Sequence, residues 1–467
     1  MTWLRAISIA LLLAPVTAAP ARAQAQKDKQ EPDTVSYFKH IRPIFVQHCQ
    51  GCHQPAKAEG GMLMTSHADL LKKGDSDEPG IVPGNPAKSL IVSVIVPADG
   101  KPPLMPRGKD PLSDYEVKLI KRWIAEGAKD DSPSAGPSID AEHPPSYELA
   151  PVITAVAYSP DGKYLAVSGY HEILLHKPDG SGLEARLVGL SERIQSLAFS
   201  PDGKWLAATG GSPGRFGEVQ LWELAKKRLR MSVSVTFDTV YGASWSPDGS
   251  KIAFGCADNS VRAIEAEGGK QVLYQGGHGD WVLGTVFSKD GSHLVSVSRD
   301  RTMKLTETTT ARLIDNITSI TPGALKGGLL AVDRHPAKDE LLIGGADGVP
   351  KLYMMYRNKP RKIGDDFNFI RSFEPLPGRI FAAKFNADGS LIVCGSSKDG
   401  TGEVRVYQSA DSKLVAKMEG VRGPIYTVAF QPDSTVVASA GFEGAVYLND
   451  TRSGKLIREF VPVPMGK

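Results

Sequence analysis

The stretch Ile194-Gln195-Ser196-Leu197-Ala198-Phe199-Ser200-Pro201-Asp202-Gly203-Lys204-Trp205-Leu206-Ala207-Ala208-Thr209 decides the fold of most of this chain. An apolar run of strand length precedes Ser-Pro-Asp-Gly, and a small-residue strand follows it. Proline suits the second position of such a turn, and glycine supplies the positive φ that ends it. A third alternating strand, Val219-Gln220-Leu221-Trp222, comes next, and a more polar fourth completes the unit. The turn recurs at Ser159 and Ser246. Degenerate forms stand at Ser288 (Ser-Lys-Asp-Gly), His335 (His-Pro-Ala-Lys), Asn386 (Asn-Ala-Asp-Gly) and Gln431 (Gln-Pro-Asp-Ser). Successive turns are 41, 46, 42, 47, 51 and 45 residues apart, the spacing of a repeated supersecondary unit. Seven units of four strands predict an all-β, seven-bladed β-propeller over residues 149–464. Residues 455–461 read as the fourth strand of the last blade, and no extra strand precedes the first, so each blade is expected to be contiguous in sequence.

These units resemble the WD repeat family. The fourth carries the fullest match, with Gly277-His278 before its first strand and Ser298-Arg299-Asp300 after its second. The resemblance implies that His278 and Asp300 meet by hydrogen bonding and tie adjacent loops together. Thr306 stands where the family places Trp, a residue kept in the second unit as Trp222.

Upstream, the composition shifts three times. Residues 1–23 read as a secretory signal peptide: Arg5 supplies the positive end, residues 6–16 form the apolar run, and Ala21-Arg22-Ala23 offers a cleavage site. The apolar run is shorter than the roughly 20 residues that span a bilayer, so no membrane span is expected after cleavage. Residues 24–33 are polar and read as disordered. Residues 34–130 are helical in pattern, and the proline-rich residues 131–148 read as a semi-rigid linker. The net charge is +3, and Arg5 and Arg22 account for two of those positives, which excludes the strongly basic profile of a nucleic-acid-binding protein. Of four cysteines, Cys256 and Cys394 sit in strand-like runs and read as small buried hydrophobes.

The other two lie in Cys49-Gln50-Gly51-Cys52-His53, the attachment pattern for a c-type haem. Two intervening residues let both sulfurs reach the vinyl groups on one porphyrin edge, and the following His binds iron. A redox Cys pair would call for a βαβ context. A zinc site using His48 or His67 would call for a second ligand pair. Neither is evident, and an exported location suits a covalently held haem. Met105, in the rigid loop Leu104-Met105-Pro106, is the candidate second axial ligand. Met62 and Met64 alternate with Leu63 and read as core residues.

Helices are expected from Pro43 into the haem motif and from the Asn85 cap through Ile95. A third is expected from the capping box Ser113-Asp114-Tyr115-Glu116, with Val117, Ile120, Trp123 and Ile124 on one face and a stop at Gly127. The last should pack across the first. Residues 38–128 resemble the cytochrome c domain family of planctomycete secreted proteins. The matching pieces are Phe38 with Ile41-Arg42-Pro43, the haem motif, Gly60-Gly61, Pro83-Gly84-Asn85-Pro86, Ser89-Leu90, Met105-Pro106, and Trp123-Ile124 with Gly127-Ala128. The resemblance implies one covalent heme c on Cys49 and Cys52, with His53 and Met105 on the iron. Arg107 departs from it, standing where the family often has a second Pro.

The chain thus reads as multidomain: a small all-α cytochrome c domain followed by the propeller. It is expected to be a periplasmic or otherwise exported electron-transfer protein that meets a redox protein donor or acceptor. Two other readings stay open: a redox enzyme with a second cofactor in the propeller, and a sensor in which the propeller signals the haem state. No catalytic constellation stands out in the repeats. Residues 209–217, 396–402 and 365–378 read as long loops on one propeller face. Arg215, Phe216 and Phe369 are the residues expected to dock a protein partner there.

Overall fold

The structure, a computed structural model, describes residues 32–466 except 50–52, 55–56, 65, 99, 108–109, 133–138, 140–141, 319–325, 361 and 363–365. The expected signal peptide, most of the polar segment 24–33, Cys52 and part of the linker lie outside the described residues.

Residues 35–128 supply one hydrophobic core of their own. A π-helical turn (Tyr37–Ile41) leads into α1 (Arg42–His48), with Pro43 inside its first turn. A four-residue helix α2 (His67–Leu70), α3 (Leu90–Ile95) and α4 (Asp114–Ala125) follow. The Ser113–Glu116 capping box forms in both directions and starts α4. The chain leaves that helix through Gly127 at φ 97°. Trp123, 1 % exposed, stacks on Tyr37 with ring centroids 5.3 Å apart and meets Phe45 of α1 edge-on at 6.3 Å, which packs the last helix on the first. Val117 is only half-buried, and Leu119 takes its expected place in the core.

Two expectations change here. Asn85 does cap a turn, its side chain accepting from Lys88 N at 3.1 Å, but that 3₁₀ turn (Pro86–Lys88) ends at Ser89. The Ser89 hydroxyl bonds the Asn85 carbonyl, the backbone turns extended, and α3 begins afresh at Leu90. The domain is also not purely helical, because His53–Gln54 pairs antiparallel with Lys57–Ala58.

From Val156 onward the described chain is antiparallel sheet. Five four-stranded sheets occupy residues 240–275, 282–316, 329–372, 379–417 and 425–460, and in each the strand order follows the chain. Residues 156–236 form a seven-stranded sheet. Its 17-residue strand Leu183–Phe199 pairs through its first part with Tyr170–His176 and through its last part with Trp205–Ser212, so it serves as last strand of one unit and first of the next. The final strand, Leu456–Phe460, pairs with Val446–Asp450 as expected.

The turns form through side chains. The hydroxyls of Ser159, Ser200 and Ser288 donate to the aspartates two residues on at 2.7, 2.6 and 2.7 Å. The Lys163 ammonium and the Ser159 hydroxyl hold Asp161 down to about 2, and the hydroxyls of Ser288 and Ser292 with Ser292 N hold Asp290 there as well. First strands of neighbouring units bond one another: Ser196 accepts from Ala243 N at 2.8 Å, and Thr285 donates to the Gly242 carbonyl at 2.6 Å. The last unit meets the first in the same manner, Val156 N donating to Thr427 at 3.0 Å and Ile153 N to the Gly441 carbonyl at 2.9 Å. A cavity of about 430 Å³ is lined by residues from every first strand, among them Val156, Leu197, Ala243, Thr285, Val332, Ala383 and Val428. Cys256 and Cys394 are fully buried outside any disulfide, and burial pushes the Cys256 thiol up to about 12.

Candidate functional site

The helical domain holds a cavity of about 710 Å³, of the size that holds a cofactor. Cys49, at the end of α1, and His53 lie on its wall. Met62, Met64, Leu90, Ile91, Val94, Ile95 and Leu112 make most of the rest apolar, and Met105 with Pro106 and Arg107 closes another part. Thus three of the four expected site residues share one cavity; Cys52 lies outside the described residues.

Backbone contacts set each group. His53 N donates to the Cys49 carbonyl at 3.1 Å, and Met64 N donates to the His53 carbonyl at 2.9 Å. His53 Nδ1 lies 3.3 Å from the Met62 carbonyl. A carbonyl only accepts, so this contact sets the tautomer with the proton on Nδ1 and leaves Nε2 with a free lone pair. Met105 N donates to the Val94 carbonyl at 2.9 Å, which anchors its loop to the end of α3. Gly80 is needed beside them, because a Cβ there would stand 1.9 Å from the Met62 methyl and 2.9 Å from the Leu70 carbonyl oxygen.

His48, beside Cys49 on the cavity wall, contacts Glu116 of α4 at 3.2 Å. Burial works against the Glu116 charge, but hydrogen bonds from Ser113 and the nearby His48 outweigh it and hold the carboxyl below its ordinary range. The domain's last helix is thereby tied to the segment that carries the cysteines.

These donors fit a c-type haem. An imidazole with one nitrogen fixed and one free, a thioether and a cysteine border a space whose walls are chiefly hydrocarbon. Sequence reasoning missed two parts of this. Met62 contributes a carbonyl to His53 and its side chain to the cavity, rather than core packing alone, and no side-chain pattern announces a backbone acceptor. His48 was weighed only as a zinc ligand, and its partner is 68 residues away.

In the sheet region the expected His278–Asp300 contact is present, with Nδ1 to Oδ2 at 3.0 Å, while Nε2 meets Ser296 at 2.8 Å. Burial opposes ionisation of Asp300, yet hydrogen bonds involving His278, Gly279 N and Thr302 overcome it and hold the carboxyl far below the carboxylate range.

The expected docking face is corrected. Residues 209–217 and 396–402 are not loop insertions: the strands Trp205–Ser212 and Phe216–Glu223, and Leu391–Lys398 and Thr401–Gln408, simply run longer and meet in tight turns. In residues 365–378, Asp365 lies outside the described residues, and Phe369–Ser372 is the outer strand of its sheet. Phe369 opens that strand, at the sheet end opposite the turn equivalent to that of Arg215, so it does not share a face with Arg215 and Phe216. Phe373 is 3 % exposed and packs on Tyr407. Arg215 and Phe216 line a cleft of about 470 Å³ whose other wall is Tyr37, Phe38, Arg42 and His67, so the chain's own helical segment faces them.

Repeated four-stranded units with a buried His–Asp contact, preceded by a small domain around an apolar cavity, define a cytochrome c-like domain joined to WD repeats. Residues 49–107 match the family described as Planctomycete cytochrome C. Residues 146–174, 184–214, 231–264, 269–306 and 412–450 match the WD domain, G-beta repeat. Among similar proteins, the WD repeat-containing protein 26 homolog of Arabidopsis thaliana is 24% identical over 43% of this chain and 32% of its own length. Periodic tryptophan protein 2 of Saccharomyces cerevisiae is 24% identical over 48% of this chain and 26% of its own. Eukaryotic translation initiation factor 3 subunit I of Kluyveromyces lactis is 22% identical over 45% and 47%. The chain thus spans between about a quarter and a half of these relatives' lengths. Among the described residues, no helix is long and apolar enough to cross a membrane.

Proposed function

We propose that this protein is an exported, single-haem c-type cytochrome acting in electron transfer, with its repeats closed into a seven-bladed propeller that binds protein partners. The observation that carries the haem assignment is the apolar cavity walled by Cys49, His53 and Met105. In this reading Cys49 and Cys52 would hold the group covalently, and His53 and Met105 would bind its iron. Haem c, when bound, supplies a one-electron couple between ferric and ferrous iron. The Met62 carbonyl orients the His53 ring and makes it a better donor. Ile91, Val94, Ile95 and Leu112 keep water away, which disfavours the more highly charged oxidised state. With His53 and Met105 both bound to the iron, no open site would be left for a substrate, which favours electron transfer over catalysis.

Ring closure is supported by the bonds from Val156 and Ile153 to the last sheet and by the cavity that every first strand lines. A role in binding proteins is supported by the WD match and by a relative named as a subunit of a larger factor. Removal of residues 1–23 on export belongs to the same reading.

The haem assignment is tested by acid–acetone extraction of protein from the periplasmic fraction. The native chain is expected to keep its haem. Replacing either Cys49 or Cys52 with Ser is expected to weaken or abolish covalent attachment, and replacing both to abolish it. Haem released from the native chain would refute the c-type assignment.

A further inference from the structure

The stretch expected to be linker is packed at its far end. Pro145 and Tyr147 are buried, with Ser146 exposed between them. Tyr147 shares one apolar cluster with Leu174 and with Val463, which follows the last strand and is 4% exposed. The Tyr147 hydroxyl donates to Glu172 Oε1 at 2.7 Å and accepts from Tyr170 N at 3.1 Å. Glu172 is fully buried, and Arg186 grips it with two bonds of 2.6 and 2.7 Å while also donating to the Pro145 carbonyl. Residues 462–466 pass from the last sheet onto the first and cover this arrangement. His176 Nε2 donates to the Pro462 carbonyl at 2.9 Å, Met465 meets Tyr147 in a parallel bridge, and Gly466 N donates to the Tyr147 carbonyl at 2.9 Å.

We propose that residues 462–466 act as a strap that holds the tether of the helical domain against the first unit, and so sets how far that domain reaches. The repeats meet without it: Val156 N and Ile153 N bond the last sheet directly, and that sheet carries its own fourth strand, Leu456–Phe460. With the strap down, the tether is fixed at Pro145. Lifting the strap uncovers Tyr147 and lets water reach its contact with Glu172, where a hydrogen bond and an ion pair contribute little. The next backbone fixed to the last sheet is Ile153. Residues 145–152 then join the tether and lengthen it by roughly 25–30 Å when extended, which dilutes the helical domain around the repeats. The strap is built to open alone: Pro464, Met465 and Gly466 are exposed, and Val463 is its one side chain in the apolar cluster.

The test is hydrogen exchange on the full-length protein, read at single amides, together with small-angle scattering. Val463→Ala and Val463→Asp are compared with wild type. The amides of Tyr170 and Gly466, which donate to Tyr147, report the strap. The Ile153 amide reports the junction of last and first units, and the Val297 amide, in a buried strand of the fourth unit, reports global stability. Val463→Ala is expected to speed exchange at Tyr170 and Gly466 about fivefold or more, and Val463→Asp about thirtyfold or more, with Ile153 and Val297 unchanged. The maximum dimension is expected to rise by about 20 Å or more in the Asp variant. Unchanged exchange at Tyr170 and Gly466 overturns the proposal. Equal acceleration at Ile153 or Val297 also overturns it, because the segment would then be part of the core of the repeats. An unchanged maximum dimension with Tyr170 opened overturns it as well. Should Val463→Asp fail to fold, Val463→Ala decides on the same amides.

Discussion

Replacing Met105 with Ala separates the ligand role of this residue from its packing role. Its side chain is half-buried, packs against the domain core and lines the cavity. Complete burial would make a Met→Ala change cost about 2–5 kcal/mol, so half-burial sets the loss near 1–2 kcal/mol. The loop keeps its backbone bond from Met105 N to Val94 and its proline frame, so the fold should persist. For a domain of this size each kcal/mol moves the midpoint by roughly 4–8 °C, and the haem domain should melt about 5–15 °C lower. Attachment through the cysteines is untouched, and His53 keeps its contact with Met62, so acid–acetone should still leave the haem on the chain. What should change is the iron. The weak charge-transfer band at the red end of the ferric spectrum, which reports an iron–sulfur bond, should vanish. The reduction potential should fall, because a thioether favours ferrous iron. A band of undiminished strength in this variant would remove Met105 from the ligand set, whatever the melting temperature did.

Asp300→Asn should cost about 2 kcal/mol, since it removes the charge from an acceptor of hydrogen bonds involving His278, Gly279 N and Thr302. Because the folded-state pKa is depressed, the native advantage is whole above the unfolded value near 3.9. It is lost as pH falls from there through the folded value. Urea titrations should therefore show a constant gap between wild type and variant from neutrality to about pH 4, and a narrowing gap below; a gap that persists undiminished to pH 2.5 contradicts the assignment. Gly80→Ala should cost about 1–3 kcal/mol, because the Met62 methyl can swing aside but the Leu70 carbonyl cannot. By disturbing Met62 it should also shift the haem potential, and a variant that melts and titrates like wild type would show that this segment is packed otherwise.

The repeat was legible because its signal is local. Each Ser-Pro-Asp-Gly turn closes through a hydroxyl and a carboxylate two residues apart, so the pattern that builds it is also the pattern that is read. Second strands were legible for a related reason: runs such as Leu165–Ser168 are buried along their whole length and are written mostly in apolar residues. The outer strands carry no such mark. Phe369–Ser372 is exposed at its two ends and only partly buried between them, and it follows a long connection. Phe369 therefore read as part of a long loop. In fact Phe367 lies beneath Arg357, with the guanidinium 5.7 Å from its ring, and Phe369 packs edge-on against Tyr353 of the neighbouring strand. An edge strand is defined by the partner it pairs with, and pairing is not a property of its own residues.

The candidate site divides along the same line. Cys49 and His53 stand in one contiguous motif because covalent geometry demands that spacing, and Met105 stood out because prolines left its loop no other structure to form. What the sequence does not spell is what makes those residues converge. The His53 orientation depends on a main-chain oxygen, which every residue owns. The cavity depends on Gly80 leaving room for Met62. The tie between the motif and α4 depends on His48 meeting Glu116 across most of the domain. Each of these uses a residue type with a common and uninformative alternative role, so none is visible until the backbone brings its partner near. A chemical motif names the group to be bound, while the packing around it sets how firmly that group is oriented, how dry it is kept and from which side a partner reaches it.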